Sequence, residues 1–274
     1  MNLRTSLHTL VIVAALGLSP AAQAPKSQFF TASDGLKIHY LELGTAGTPV
    51  ILIHGYTANA EGKWFKPGIA QALAAKHRVI AIDARGHGKS DKPHDPARYG
   101  PQMAKDVLEL MDHLKIAKAH IHGYSMGGAI LTQILAKHPQ RLITAIYGGS
   151  GPQETDPALI AQVPKDEAAP AANDPNAPRG ENWSSYPGYD RAALDAVQKY
   201  PWQPGDRDID LTTVKVPVLS LIGGFDNPNA RTHRVKREVK GAQIVIVPKE
   251  THGSVHLNPT YTQALVKFID GHDR

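Results

Sequence analysis

The chain of 274 residues has no cysteine, few aromatic residues (6%) and no strong excess of charge of either sign. Without a thiol there is no cysteine nucleophile, disulfide framework, thiolate zinc site, iron–sulfur cluster or lipid-anchored cysteine, so any chemistry falls to serine, histidine and carboxylates. The 30 Lys and Arg against 25 Asp and Glu leave a formal charge of +5, a mild excess that carries no nucleic-acid signal. Its one local cluster, Arg231, Arg234, Lys236, Arg237 and Lys240, has the spacing of the solvated face of a helix. Long apolar runs are missing too. Residues 10–18 (LVIVAALGL) would rise about 14 Å as a helix, less than half of a bilayer core of about 30 Å, so no stable membrane anchor is expected. With Arg4 ahead of that run and small residues at 19–24 (SPAAQA) behind it, residues 1–24 read as an export signal, and a periplasmic or secreted protein is expected. Cleavage after Ala24 would leave Pro25 beside the cut, and cleavage after Ala21 fits equally.

What is present is an alternation of short β-branched runs with longer segments of helical period, the pattern of an α/β fold whose largely parallel sheet lies between helices. Strands are expected at 28–31, 36–43, 50–53, 78–83, 119–123, 142–147, 216–222 and 243–247, and helices at 63–76, 101–114, 126–137, 229–239 and 259–269. Asp34-Gly35 between the first two strands favours a tight hairpin turn. The rhythm breaks at 151–210, where Pro152, Pro157, Pro164, Pro170, Pro175, Pro178 and Pro187 interrupt any regular helix. That segment carries Trp183, Tyr186, Tyr189, Tyr200 and Trp202 and reads as a cap or lid, inserted between core parts at 25–150 and 211–274.

The sharpest local signal is Gly123-Tyr124-Ser125-Met126-Gly127, directly after an expected strand and opening an expected helix. A serine at such a turn presents its hydroxyl, and the flanking glycines relieve the crowded backbone. Here the chain resembles the α/β-hydrolase family. The resemblance continues in His54-Gly55-Tyr56 after the third strand, in Asp83-Ala84-Arg85-Gly86-His87-Gly88-Lys89-Ser90 after the fourth, and in Gly223-Gly224-Phe225-Asp226 after the seventh.

A serine hydroxyl is a weak nucleophile and needs a base, itself oriented by a third group. Among 14 histidines, the family's placement after the last strand leaves His252 and His256; His252 is preferred because Pro259 stands seven residues beyond it, as in the family pattern. Asp226 falls where the family has its acid, with Asp156 as a weaker alternative. The resemblance further implies an oxyanion hole from the backbone N–H groups of Tyr56 and Met126. His120 and His122 share one face of a strand but are read as core residues rather than zinc ligands. No dinucleotide or phosphate-loop spacing occurs, so no cofactor is expected.

The expected function is that of an exported serine hydrolase, carboxylesterase-like, with an eight-stranded α/β-hydrolase fold, a small cap, the triad Ser125, Asp226 and His252, and a small-molecule ester as its partner. Ser125 stands where dehalogenase and epoxide-hydrolase relatives carry aspartate, which argues against those two reactions. Hydrolysis of a carbon–carbon bond, peracid formation, or ligand binding with little turnover are the alternatives that the same residues allow.

Overall fold

Eight short runs rich in Val and Ile build one sheet. The computed structural model describes residues 24–154, 156–162, 188–200, 209–226 and 229–273. The strands are β1 (Lys26–Thr31), β2 (Lys37–Leu43), β3 (Pro49–Ile53), β4 (Arg78–Ile82), β5 (Ala119–Tyr124), β6 (Leu142–Gly148), β7 (Val218–Gly223) and β8 (Gln243–Val247). Their order across the sheet is β1-β2-β4-β3-β5-β6-β7-β8. The β1–β2 hairpin is antiparallel, β2 meets β4 antiparallel, and every later pair is parallel.

A parallel strand covered on both faces has no polar side, and β3 shows this in Val50, Ile51, Leu52 and Ile53, none of which reaches solvent. Because successive side chains alternate, the strand feeds two cores. Ile51 and Ile53 join Ile121 with helices α2 (Pro101–His113) and α3 (Met126–Lys137) on one face. Val50 and Leu52 join Trp64, Leu73 and Leu265 on the other, under α1 (Ile69–Ala74) and α7 (Pro259–Asp270). The helix expected over 63–76 is two pieces, a π-helical turn at Glu61–Phe65 and then α1. Between them lie Pro67, which cannot donate a backbone hydrogen bond, and a left-handed Gly68, and together they break what the apolar spacing suggested was continuous.

Between β6 and β7 the described residues hold α4 (Pro157–Gln162) and α5 (Arg191–Gln198). Trp183, Tyr186 and Trp202 lie outside the described residues, as do residues 1–23. After β7 comes α6 (Asn229–Glu238).

The core also takes in histidines. The His122 ring donates from Nδ1 to the Ile146 carbonyl at 3.0 Å and receives the Tyr261 hydroxyl at Nε2 at 2.8 Å, while His120 meets Thr144 Oγ1 at 2.9 Å. Among the described residues no cluster of three or more His, Asp or Glu side chains could hold a metal ion. Burial, the largest influence on each, pulls the pKa values of His120 and His122 down to about 4, His87 to about 3 and His256 to about 2, and lowers His54 as well. These rings are neutral when folded and protonate near 6.5 when unfolded. The unfolded chain therefore binds more protons below pH 6.5, and stability rises with pH across that range. Each of His87, His120, His122 and His256 costs about 1.4 kcal/mol at pH 5.5, so urea unfolding should show several kcal/mol less stability at pH 5.5 than at pH 7.5. A free energy of unfolding that stays level between those pH values would contradict the burial of neutral imidazoles.

Candidate active site

Close backbone approach governs the turn that ends β5. A Cβ on Gly123 would lie 2.2 Å from the Gly127 carbonyl oxygen, and one on Gly127 would lie 2.2 Å from that of Ile53, so only glycine lets α3 start this close to the strands. Ser125 is the N-cap of α3 at φ 52°, ψ −112°, a conformation that non-glycine residues seldom adopt. The strain is held from below. Ser125 N–H donates to the Gly148 carbonyl at 2.9 Å, and the Ser150 hydroxyl donates to the Ser125 carbonyl at 2.9 Å.

Asp226 ends the tight turn after β7, its N–H donating to the Gly223 carbonyl at 2.9 Å. His252 lies on the loop after β8. That loop is braced by Glu250, which accepts from Ser254 Oγ at 2.6 Å and from Asn258 Nδ2 at 2.9 Å. The Phe225 N–H bonds to the Glu250 carbonyl at 2.9 Å and joins the two loops, and the Tyr124 hydroxyl donates to the His252 carbonyl. The three side chains meet. His252 Nε2 lies 2.9 Å from Ser125 Oγ, and His252 Nδ1 lies 3.0 Å from each Asp226 carboxylate oxygen. Asp226 is fully buried, whereas the His252 side chain is 45% exposed, which leaves one ring edge open to a substrate. With Nδ1–H donating to Asp226, Nε2 carries the lone pair that can accept the serine proton.

Neither alternative partner reaches Ser125. His256 is buried beside the Tyr124 ring, with 5.7 Å between ring centres, and the exposed Asp156 accepts from the Ala158 N–H at 2.8 Å at the start of α4. Tyr56 and Met126 both flank Ser125 on the wall of a cavity of about 570 Å³. The loop carrying Tyr56 is pinned by the neutral His54, which donates to the Gly55 carbonyl at 2.7 Å and accepts from the Ala84 N–H at 3.1 Å. The Tyr56 hydroxyl donates to the Leu194 carbonyl at 3.1 Å, so α5 closes on the same site.

The motif over 83–90 proves to be a support for this loop. Asp83 accepts from the Ala60 N–H at 2.7 Å, the Lys89 N–H at 2.9 Å and His39 Nδ1 at 2.8 Å. Burial would raise its pKa, but those bonds, that from His39 foremost, hold it below the ordinary carboxylate range. Arg85 pairs through two nitrogens with Asp106 at 2.6 Å each, both side chains buried.

Sequence reasoning passed over several residues. The cluster read as a solvated helix face is only partly that. Lys236, Arg237 and Lys240 are exposed, Arg237 pairing with Glu154 at 2.7 Å, but Arg234 donates to the carbonyls of Gln153 at 2.6 Å and Ile209 at 2.9 Å, and Arg231 lines the cavity. The physical reason is that irregular segments before α4 and after α5 lie over α6 and bring carbonyls that need donors. The buried Lys63, whose Nζ lies 3.2 Å from the Tyr124 ring centre, was also missed; a lysine amid apolar residues of a helix gave the only clue.

A family model described as alpha/beta hydrolase fold matches residues 48–220, more than half of the sequence. The chain belongs to the α/β-hydrolase family. It is similar to a 2-hydroxy-6-oxononadienedioate/2-hydroxy-6-oxononatrienedioate hydrolase of Escherichia coli (31% identical over 141 residues, 50% of this chain and 49% of that protein). It is also similar to the dihydrolipoyllysine-residue acetyltransferase component of the acetoin cleaving system of Pseudomonas putida (40% over 127 residues, 46% of this chain and 33% of that protein). The chain thus spans half or less of these curated relatives. Among solved structures, an N-acyl homoserine lactone degrading enzyme superposes with a TM-score of 0.67 at 26% identity, over 87% of this chain and 98% of that one. An esterase from Exiguobacterium antarcticum shares the fold with a TM-score of 0.68 at 22% identity, over 89% of this chain and all of that one (100%).

The geometry makes one position outside the motifs diagnostic. A Cβ on Gly149, which sits at φ 52°, would lie 2.9 Å from Asp226 Oδ2 and 3.0 Å from His252 Nδ1. Gly149→Ala is expected to slow fluorophosphonate labelling of Ser125 at least tenfold with little change in circular dichroism, since the added methyl pushes the imidazole away from the carboxylate. Labelling at the wild-type rate would contradict the placement of that ring.

Proposed function

We propose that this chain is an exported serine hydrolase that cleaves a carboxylic ester through an acyl-enzyme. The observation that carries the reading is the line from Ser125 Oγ through the His252 ring to the buried Asp226 carboxylate. In this reading His252 takes the Ser125 proton as the oxygen attacks the ester carbonyl, and Asp226 stabilises the imidazolium and its tautomer. The tetrahedral oxyanion is met by the backbone N–H groups of Tyr56 and Met126, each worth about 2.7–4 kcal/mol of barrier. His252 then protonates the leaving alcohol, and a water repeats the steps on the acyl-serine. The leaving group departs on the side of a smaller pocket of about 60 Å³ lined by His252, Gly253 and Lys63, and the acyl chain occupies the larger cavity beyond Met126. Export rests on the pattern of residues 1–24, and the mature amino terminus recovered from a secreting host tests it.

A second reading is favoured by the likeness to a hydrolase of 2-hydroxy-6-oxo acids, named above, over half of the chain. There the same serine and histidine would serve hydrolysis of a carbon–carbon bond. A panel of para-nitrophenyl esters of graded acyl length, set beside a 2-hydroxy-6-oxodienoate, separates the two. Ester turnover is expected, falling about 10⁴-fold or more in Ser125→Ala and about 10⁴-fold in Asp226→Asn, where the wrong tautomer is held in unchanged geometry. Faster turnover of the dienoate by two orders of magnitude in kcat/KM would transfer the assignment to the second reading, and full ester turnover in Ser125→Ala would sink both.

A further inference from the structure

Three features of the large cavity do not belong to hydrolysis itself. The first is Arg231, which lines the cavity together with Ser125 and sits in the first turn of α6. A cation there faces the positive end of the helix dipole, an unfavourable place unless an anion answers it. Among the described residues Arg231 makes no hydrogen bond and no ion pair, in contrast to Arg234 and Arg237 one and two turns further on, which bond to carbonyls and carboxylates. The carboxylate of Asp226 acts on it electrostatically, but both of its oxygens are engaged by His252. Burial pulls the Arg231 pKa below its ordinary value, only that carboxylate opposing it.

The second is Gln133. It is 3% exposed, lines the same cavity, and among the described residues neither its Oε1 nor its Nε2 has a hydrogen-bond partner. A buried amide left unsatisfied destabilises the fold, and a polar ligand group accounts for its retention. The third is spacing. Met126, Ala129, Ile130 and Gln133 form one stripe of α3 facing the cavity. Seven residues of helix separate the first from the last, about 10 Å of rise. An apolar stretch of Ala129 and Ile130 thus lies between the reacting carbonyl and the orphan amide.

We propose that Arg231 and Gln133 form an anion-recognising subsite at the far end of the acyl cavity, and that the preferred esters carry a carboxylate at the distal end of a medium-length acyl chain. The inference rests on the hydrolase reading and specifies its substrate class. A carboxylate accepts from the guanidinium and from Gln133 Nε2, satisfying both donors at once. Hydrolysis of such a half-ester consumes one water: the bond from the acyl carbon to the alkoxy oxygen breaks, a bond to Ser125 Oγ forms and is then replaced by one to the water oxygen, and a dicarboxylate and an alcohol are released.

Monomethyl suberate and dimethyl suberate form the deciding pair, since they differ by one methyl group and one charge. The wild-type protein is expected to show a kcat/KM for the monoanion at least tenfold above that for the diester, and Arg231→Gln should bring the ratio close to one. Arg231→Lys keeps the charge but loses the forked geometry, and should recover only part of the preference. Binding is read separately, by calorimetry of monomethyl suberate with Ser125→Ala protein, where adding Arg231→Gln or Gln133→Leu should weaken affinity on the order of tenfold to a hundredfold. Equal turnover of the two esters by the wild-type protein, or a ratio untouched in Arg231→Gln, overturns the subsite and leaves the hydrolase reading standing. If neither ester is cleaved, calorimetry decides alone: binding that depends on Arg231 upholds the subsite although the reaction is another, and no binding overturns it.

Discussion

The approach of α3 to the backbone of β3 and β5 is the constraint on which the rest depends. Without side chains at 123 and 127 the helix starts against the strand carbonyls, and Ser125 is forced into a conformation it would not choose. The cost is repaid by position. The hydroxyl stands clear of the sheet edge, while the first amides of α3, which have no intrahelical acceptor, are left to face a ligand. The neighbouring loops are then fitted to that point, with Gly148, Gly149 and Ser150 beneath it and the turns after β7 and β8 beside it.

Electrostatics divides the molecule into a set of charges that must stay fixed and a set that must respond. Asp83, Arg85 and Asp106 are buried and fully engaged, and their removal from water is tolerable only because donors and acceptors saturate them. They hold the loops around the site without facing it. Asp226 is buried as deeply, yet its partner His252 is nearly half exposed, so the pair joins a dry anchor to a ring that a substrate can reach. The several neutral histidines of the core show the opposite use of the same residue, as a half-polar filler that bonds to carbonyls and hydroxyls inside the sheet.

Most of the scaffold was legible because it obeys local rules. The alternation of β-branched runs and helical period located every strand to within about two residues, an error expected at element ends. The residues 123–127 were readable because the motif needs its strand and its helix, and both were visible in sequence. The contributions of Tyr124, Lys63, Gly149, Gln133 and Arg231 were not. Each acts through a neighbour distant along the chain: Tyr124 through the carbonyl of residue 252, Gly149 through the space it leaves for His252, and Arg231 through a cavity formed by α3, α5 and α6. Spacing along one helix made Arg231 look like its solvated neighbours, and only the segments packed over α6 distinguish it. The break at Pro67 and Gly68 was missed for the reverse reason, since apolar periodicity continues through residues whose backbones cannot follow a helix.

A division of labour follows from where these residues sit. The groups that align with Ser125 come from turns at one edge of the sheet, where registry between parallel strands sets their separation and little can vary without losing contact. The cavity wall is different. It is built largely by the stripe of α3, by the start of α2, by α5, which lies outside the sheet, and by the first turn of α6. A substitution there changes what is held and leaves the line between serine, imidazole and carboxylate in place. Proteins similar to this chain are named for action on a lactone, an ester or an oxo acid, so the scaffold and its sheet-edge turns do not by themselves fix the substrate, and the cavity wall is the part of this chain free to differ.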